Sequence, residues 1–408
     1  MMKSTDKYLS RYAEPETALA QQLVRAVPHR ASWQYCLVIP AYKESPVFYQ
    51  RLATTLLKQQ AVLLILVINQ PDNLGGAHSD NTVLWQSLID ASSEGQSLGN
   101  LLLRDIPATN SALLLVERFR PTRQIPEKQG VGLARKIGAD IALALINSGH
   151  LGSPWIYTSD ADAHLPDTYF SALDNAISVR GETQPAAAIY PFKHLCDDTA
   201  IGQATQLYEQ RMLQYVAGLH SARSPYAFQT IGSAIAVAAS HYAQVRGFPK
   251  RSGGEDFYLL NKLAKTGAIK QLSAPQITID ARQSDRVPFG TGPAISQLLR
   301  QDNLSEAAIF YHPQVFIALK NWLGAIAPSQ TQPLDDLGLP ASTLAALQAI
   351  GAPQAIAAAL KVSTSTSHYC KHLNTWFDAF KTLKFIHHLR DHAHPSVNLQ
   401  QTRGHSRG

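Results

Sequence analysis

Cysteine is scarce: Cys36, Cys196 and Cys370 are the three in 408 residues, far apart and odd in number. With no C-x-x-C pair among them, they argue against a disulfide framework and against a zinc site built on thiolates. Long apolar runs are also missing. The longest, Ala61 to Ile68, is too short to cross a bilayer, so no transmembrane segment is expected. Met1 to Arg30 places Glu14, Glu16, Gln21, Gln22 and Arg25 where a signal peptide would carry an apolar centre, and the reading that follows is a cytoplasmic protein. Nor is there a block of lysine and arginine. The formal charge of +6 is scattered, which suits small anionic substrates and leaves no footprint for nucleic acid.

What is present is a chain of globular composition, 45% hydrophobic and 16% charged, long enough for two or three domains. After a polar lead-in (1–34) with one helix around Glu16 to Val27, Tyr35 to Ile39 reads as a buried strand stopped at Pro40-Ala41-Tyr42. Ser45 and Pro46 start a helix over Val47 to Lys58, and Ala61 to Ile68 is a second strand. Strand, helix, strand is a βαβ unit and implies a parallel sheet. Residues 72–110 read as a polar surface excursion with one helix from Thr82 to Ile89, and Ala112 to Val116 as a third strand. Leu133, Ile137, Ile141 and Leu145 recur every four residues, which predicts a helix over Lys128 to Ile146, entered through Gly130 and Gly132. A helix over Pro166 to Val179, a strand over Ala186 to Phe192 and a helix over Thr199 to Leu219 follow. Then come strands at Phe228 to Ala239, Ala268 to Leu272 and Gln276 to Ile279. From about 294 the strand patterns cease, and 294–310, 313–325, 334–361 and 366–391 read as helices.

Four clusters carry chemistry. Trp155 to Thr158 is a short strand leading into Asp160-Ala161-Asp162. Carboxylates at i and i+2 of an extended chain face one point and offer hard oxygens to Mg²⁺ or Mn²⁺, which commonly share coordination with substrate phosphates. Taken alone, the same pair serves equally as a helix cap. The others are V-I-P-A-Y-K-E after the first strand, G-V-G-L-A-R-K at a helix start, and G-G-E-D-F-Y-L-L at another. Glu255 and Asp256 there could simply complement a helix N-terminus. Lys136 reads as a solvent-facing helix charge, His164 as a half-buried structural histidine, and Trp155 and Phe257 as core. His387, His388, His392 and His394 read as a solvated helix terminus.

In that order, the four clusters resemble the family 2 glycosyltransferases over roughly residues 35–290. The resemblance implies an α/β protein of GT-A (Rossmann-like) fold, with a mixed, mostly parallel sheet flanked by helices, over a transferase domain (35–293, with nucleotide-binding half 35–162 and acceptor half 163–293). Residue pattern and composition add a lead-in (1–34), a C-terminal helical extension (294–395) with no counterpart in that family, and a disordered tail (396–408). The extension would shape the acceptor pocket or form a homodimer contact.

The implied activity is transfer of a single sugar from a nucleotide-diphospho-sugar donor to the hydroxyl of a small-molecule or lipid-linked acceptor, with inversion or retention left open. Pro40, Tyr42, Glu44, Asn69, Lys128, Gly132, Arg135 and Asp160 would line the nucleotide-sugar site. Asp162, with Asp160, would hold the metal, Asp256 would be the catalytic base, and Glu255 would support it. Asn69-Gln70-Pro71-Asp72 replaces the acidic pair with which many members read the base. Several members complete the metal site with a histidine beyond the E-D helix, and the corresponding loop here has none. The loop after the last strand offers Asp280, Arg282, Asp285 and Arg286 instead, with Arg282 and Arg286 as donor ligands on a lid; a plain connecting loop is the competing reading. Two other classes remain: a sugar nucleotidyltransferase, which would show a glycine-rich loop where Pro40 to Ser45 has no glycine, and a non-catalytic nucleotide-sugar-binding protein.

Overall fold

The computed structural model describes residues 2–27, 32–177, 183–284, 286–288, 290–301 and 303–404. The chain forms two compact units, Met1–Asp197 with Thr230–Pro293, and Asp198–Gln229 with Ala294–Gly408. In the first, the described strands are β1 (Tyr35–Ala41), β2 (Val62–Asn69), β3 (Gly95–Leu98), β4 (Leu101–Asp105), β5 (Ala112–Arg118), β6 (Trp155–Thr158), β7 (Ala163–His164), β8 (Ala187–Ile189), β9 (Phe192–Leu195), β10 (Ile235–Ala238), β11 (Ile269–Gln271) and β12 (Ile277–Asp280). Nine make one sheet in the order β11-β8-β10-β6-β1-β2-β5-β4-β3, and β7-β12-β9 form a second.

β1 and β2 are buried at every position, which is what unalternating apolar runs require of strands covered on both faces. They pair in parallel, Leu37 opposite Leu64, with the helices Val47–Thr54 and Leu56–Gln59 as the crossover. β5 continues in parallel on β2, and β6 lies parallel on the other side of β1. The mixed sheet therefore has a parallel centre, β6-β1-β2-β5, with antiparallel strands at β10 on one side and β4 on the other.

Several expectations change. Residues 72–110 contain the antiparallel pair β3 and β4, whose period-2 signal (Leu101 and Leu103 inward) is short and set among serine and glycine. The expected strand 186–192 divides: β8 joins the large sheet and β9 the small one, broken at Tyr190-Pro191. The lead-in is part of the fold. It carries a second helix, Met2–Arg11, besides Glu16–Arg25.

Lys136 is 4% exposed, not solvent-facing. Its ammonium donates to Asp140 at 2.8 Å, Asp140 accepts from Tyr242 at 2.8 Å, and the hydroxyl of Tyr8 from the first helix joins the same group. A buried charge needs such partners, and an aspartate four residues along the same helix supplies the first.

The second unit is helical, and it takes Ala200–Ser221 along with the chain after 294. Its core gathers Leu319, Trp322, Leu347, Tyr369 and Phe385. Expected long helices are shorter or broken. The first is Thr291–Leu298, 334–361 breaks at Gly351 (φ 86°), and 366–391 breaks before Asp378, which caps the next helix by accepting from Phe380 and Lys381 N–H groups. Leu399–Gly404 is helical, against the expected disordered tail; 405–408 lie outside the described residues. His387 is half-buried against the Tyr311 hydroxyl at 2.9 Å, and desolvation, with Arg390 nearby, lowers it to about 4. His388 and His392 stack at 4.2 Å. Among the described residues, no single helix is long and apolar enough to cross a membrane.

Candidate functional site

In an open α/β sheet a crevice forms at the carboxyl ends of two adjacent parallel strands whose connections leave in opposite directions. β1 and β6 are that pair, because β2 and β5 extend from one side of β1 and β6 flanks the other. The loop after β1 carries Tyr42, Lys43 and Glu44, and the turn after β6 carries Asp160 and Asp162. Pro40 is buried within β1. The carbonyl of Val38 accepts from Ser159 N–H at 3.0 Å, so the alternate residue, Pro40, turns its missing N–H toward the same side, past Thr158 where β6 ends. No ladder bond is lost there.

The D-A-D turn is held at every carbonyl from 159 to 163. Ser159 accepts from Arg135 Nη1 at 3.1 Å, Asp160 from Ala163 N–H at 3.1 Å, and Asp162 from Asp280 N–H at 2.9 Å. Ala161 and Ala163 both accept from Arg51 Nη2, at 3.3 and 3.0 Å. With the backbone oxygens committed, the turn presents its two carboxylates. Asp162 Oδ2 pairs with Arg282 at 2.8 Å, and the same guanidinium forks onto both oxygens of Glu44 at 2.8 and 2.9 Å. Arg286 donates to Glu44 as well, and to the carbonyl of Lys43 at 2.6 Å. Burial, together with the charges of Asp160 and Glu44, pushes the Asp162 carboxyl up to about 6 against the opposing pull of Arg282 and Arg286. Arg282 and Arg286 thus face the acids of the site. Asp285 lies outside the described residues. His164 is half-buried and pairs with Asp280 at 2.7 Å.

A second acidic pole begins at Gly254, whose left-handed backbone (φ 65°) turns the chain into the helix Glu255–Leu263. Glu255 is 4% exposed and accepts from Arg135 Nε at 2.8 Å. Asp256 accepts from the N–H of Phe257 at 2.7 Å, and burial beside Glu255 pushes its carboxyl up to about 7, with Arg135 opposing.

Arg135 was expected to line the nucleotide-sugar site. It is 3% exposed, with one nitrogen on Asp160, one on Ser159 and one on Glu255. Asn69 is also buried, and its amide donates to the carbonyls of Ala41 and Val67, both at 3.2 Å. That amide ties the end of β1 to β2. Gly132 sits under the 249–252 loop: its N–H donates to the Arg251 carbonyl at 2.9 Å, and a methyl there would come 2.4 Å from the Pro249 oxygen. Lys128 is exposed and forms no hydrogen bond or ion pair with the acids of either pole among the described residues. Tyr42 is half-buried, edge-on to His78, with the Lys43 ammonium 5.2 Å from its ring.

Arg51 and Asn81 were not singled out in the sequence. Asn81, fully buried, accepts from Lys43 N–H at 3.0 Å and holds that residue in its positive-φ conformation. Both act on backbone groups far away in sequence, for which no residue spacing is diagnostic. Among the described residues, no group of three or more His, Cys, Asp or Glu is arranged to hold a metal ion.

No family model matches the chain, and no curated protein does. Among solved structures, the chain is similar to a mannosyltransferase from Pyrobaculum calidifontis in complex with GDP-Man and Mn²⁺, at 15% identity over 94% of this chain and 99% of that one, with a TM-score of 0.36. It is also similar to GalNAc-T7 with UDP, GalNAc and Mn²⁺, at 10% identity over 74% of this chain and 52% of that one, with a TM-score of 0.34.

Proposed function

We propose that this chain is a GT-A, hexosyltransferase-type glycosyltransferase. It moves one sugar from a nucleotide-diphospho-sugar to the hydroxyl of a small or lipid-linked acceptor, assisted by Mg²⁺ or Mn²⁺. The observation that carries this reading is the pair of acidic poles: Glu44, Asp160 and Asp162 at the β1/β6 crevice, and Asp256 at a separate helix start, with Arg135 between them. Glycosyl transfer needs acids in two places, one at the departing diphosphate and one at the attacking hydroxyl.

At the first pole the residues fit a hard divalent ion. Asp160 and Asp162 would offer carboxylate oxygens, with phosphate oxygens and water completing the shell of the ion. Such an ion would neutralise charge growing on the leaving diphosphate. Arg282 and Arg286, paired here with Glu44 and Asp162, carry planar forks that match phosphate oxygens equally well.

At the second pole Asp256, raised to about 7, is poised to take a proton near neutral pH. Glu255 cannot share that task while Arg135 holds it. The experiment is a thermal-shift panel of UDP-, GDP-, ADP- and TDP-sugars with Mn²⁺ or EDTA, on wild type and Asp162→Ala. Stabilisation by one nucleotide class, dependent on metal and lost in the variant, supports the reading and names the base. Silence toward every nucleotide sinks it.

A further inference from the structure

Arg135 is buried, and every one of its guanidinium nitrogens is engaged by the protein itself. It projects from the helix Gly130–Asn147, is 3% exposed, and is closed in by Gly232, where a methyl would stand 2.5 Å from Nη2 and 2.9 Å from the guanidinium carbon. Its nitrogens point three ways. Nη2 holds the side chain of Asp160 in the D-A-D turn, Nη1 the carbonyl of Ser159 in the same turn at 3.1 Å, and Nε the carboxylate of Glu255 at 2.8 Å. Asp160 and Glu255 belong to segments ninety-five positions apart in sequence, since 255 − 160 = 95, and one planar cation joins them.

The chemistry of the side chain explains why arginine is there. A guanidinium offers five N–H donors in a rigid plane, so it can fix two carboxylates and a carbonyl in mutual register, whereas an ammonium is a single point. Asp256 is covalently next to Glu255 and takes no direct bond from Arg135. Where its carboxylate stands relative to the turn bearing Asp160 and Asp162 is therefore set through Glu255.

We infer that Arg135 is a positioning residue, not a donor ligand: it sets the separation and orientation between the donor-side acids and the base Asp256, acting through Asp160 and Glu255. The inference rests on the glycosyltransferase reading and adds a division of labour to it. Donor affinity belongs to the crevice residues, and alignment of the base belongs to Arg135. Gly232 has a part in that alignment, because only a residue without a Cβ leaves the guanidinium its position.

The test uses the full chain and three variants, Arg135→Lys, Arg135→Ala and Gly232→Ala. Each is first shown to unfold cooperatively in urea. For the nucleotide sugar that stabilises wild type in the panel, half-saturation in thermal shift is compared with the turnover number for transfer. The expected result is half-saturation within about threefold of wild type and turnover down by about a hundredfold or more in all three, the scale on which misplacement of a reacting group acts. Guanidinium ion at sub-denaturing concentration should restore part of the rate in Arg135→Ala and none in Gly232→Ala, where the side chain still fills the site. Gly232→Ala also covers the case in which the arginine variants fail to fold.

Loss of nucleotide affinity in proportion to rate would make Arg135 a donor ligand and overturn the inference. So would variants that transfer as fast as wild type. A wild type that binds no nucleotide overturns the transferase reading and this inference together, and the wild-type control alone reveals that outcome.

Discussion

Arg135 Nε and Glu255 Oε1 lie 2.8 Å apart, both buried, and the same guanidinium reaches Asp160. A buried cation between two carboxylates is held by charge on both sides, and that arrangement leaves the neighbouring Asp256 as the acid of its pair without an arginine bonded to it.

Asp256→Asn should lower turnover about 10²- to 10⁴-fold, the range typical of a lost general base, with little change in donor half-saturation. In wild type, kcat/KM should rise with pH through about 7, because the base works only when deprotonated. A profile flat from pH 5 to 8 would remove Asp256 from that role.

The same raised carboxyl affects stability, with a definite sign. Asp256 is ordinarily near 3.8 and stands at about 7 in the fold, so between those values the native state binds the extra proton. Stability from this group is then complete below about pH 4 and declines as pH rises to about 7. Asp256→Asn should therefore raise stability at pH 8 by about 1–2 kcal/mol after allowance for solvent screening, and change it little at pH 4. Urea unfolding at the two pH values checks this.

Asp162→Asn should abolish the difference between Mn²⁺ and EDTA in nucleotide-induced stabilisation, and should lower turnover by about 10²- to 10³-fold, as expected for a lost electrostatic partner of the leaving group. Titration of Mn²⁺ alone, read by the signal of the free aquo ion in electron paramagnetic resonance, should show weakened binding in the variant. Unchanged Mn²⁺ binding would move the metal elsewhere.

Gly132→Ala places a methyl 2.4 Å from the Pro249 carbonyl and 2.6 Å from that of Arg251. Backbone oxygens cannot swing away as a side chain can, so the cost should be about 1–3 kcal/mol of overpacking, with displacement of the 249–252 loop that leads to Gly254. Urea denaturation measures the first effect and transfer rate the second. A fully stable, fully active variant would show that the loop and the helix start are not packed together.

Lys136→Met should cost about 3–5 kcal/mol by leaving Asp140 buried without its cation, well above the effect of truncating a surface lysine. The midpoint of urea unfolding gives the answer, and a change under 1 kcal/mol would return Lys136 to the surface.

Local pattern alone determined a good deal of this protein. β1, β2, β6 and the helix after Gly130 follow from apolar runs and a four-residue period, because burial acts on each segment wherever its neighbours lie. The two acidic motifs stood out because their residues are adjacent in sequence. Tertiary structure alone decided the rest. Arg135 stands between Asp160 and Glu255, Asn69 ties β1 to β2, and Lys136 turned from a surface charge into a buried one. It also built the lead-in helices into the core and brought Arg282 and Arg286 onto Glu44. The reason is physical: a polar side chain's role is set by which groups end up within 3 Å of it, and those partners come from segments tens to hundreds of residues away, where no sequence period reaches.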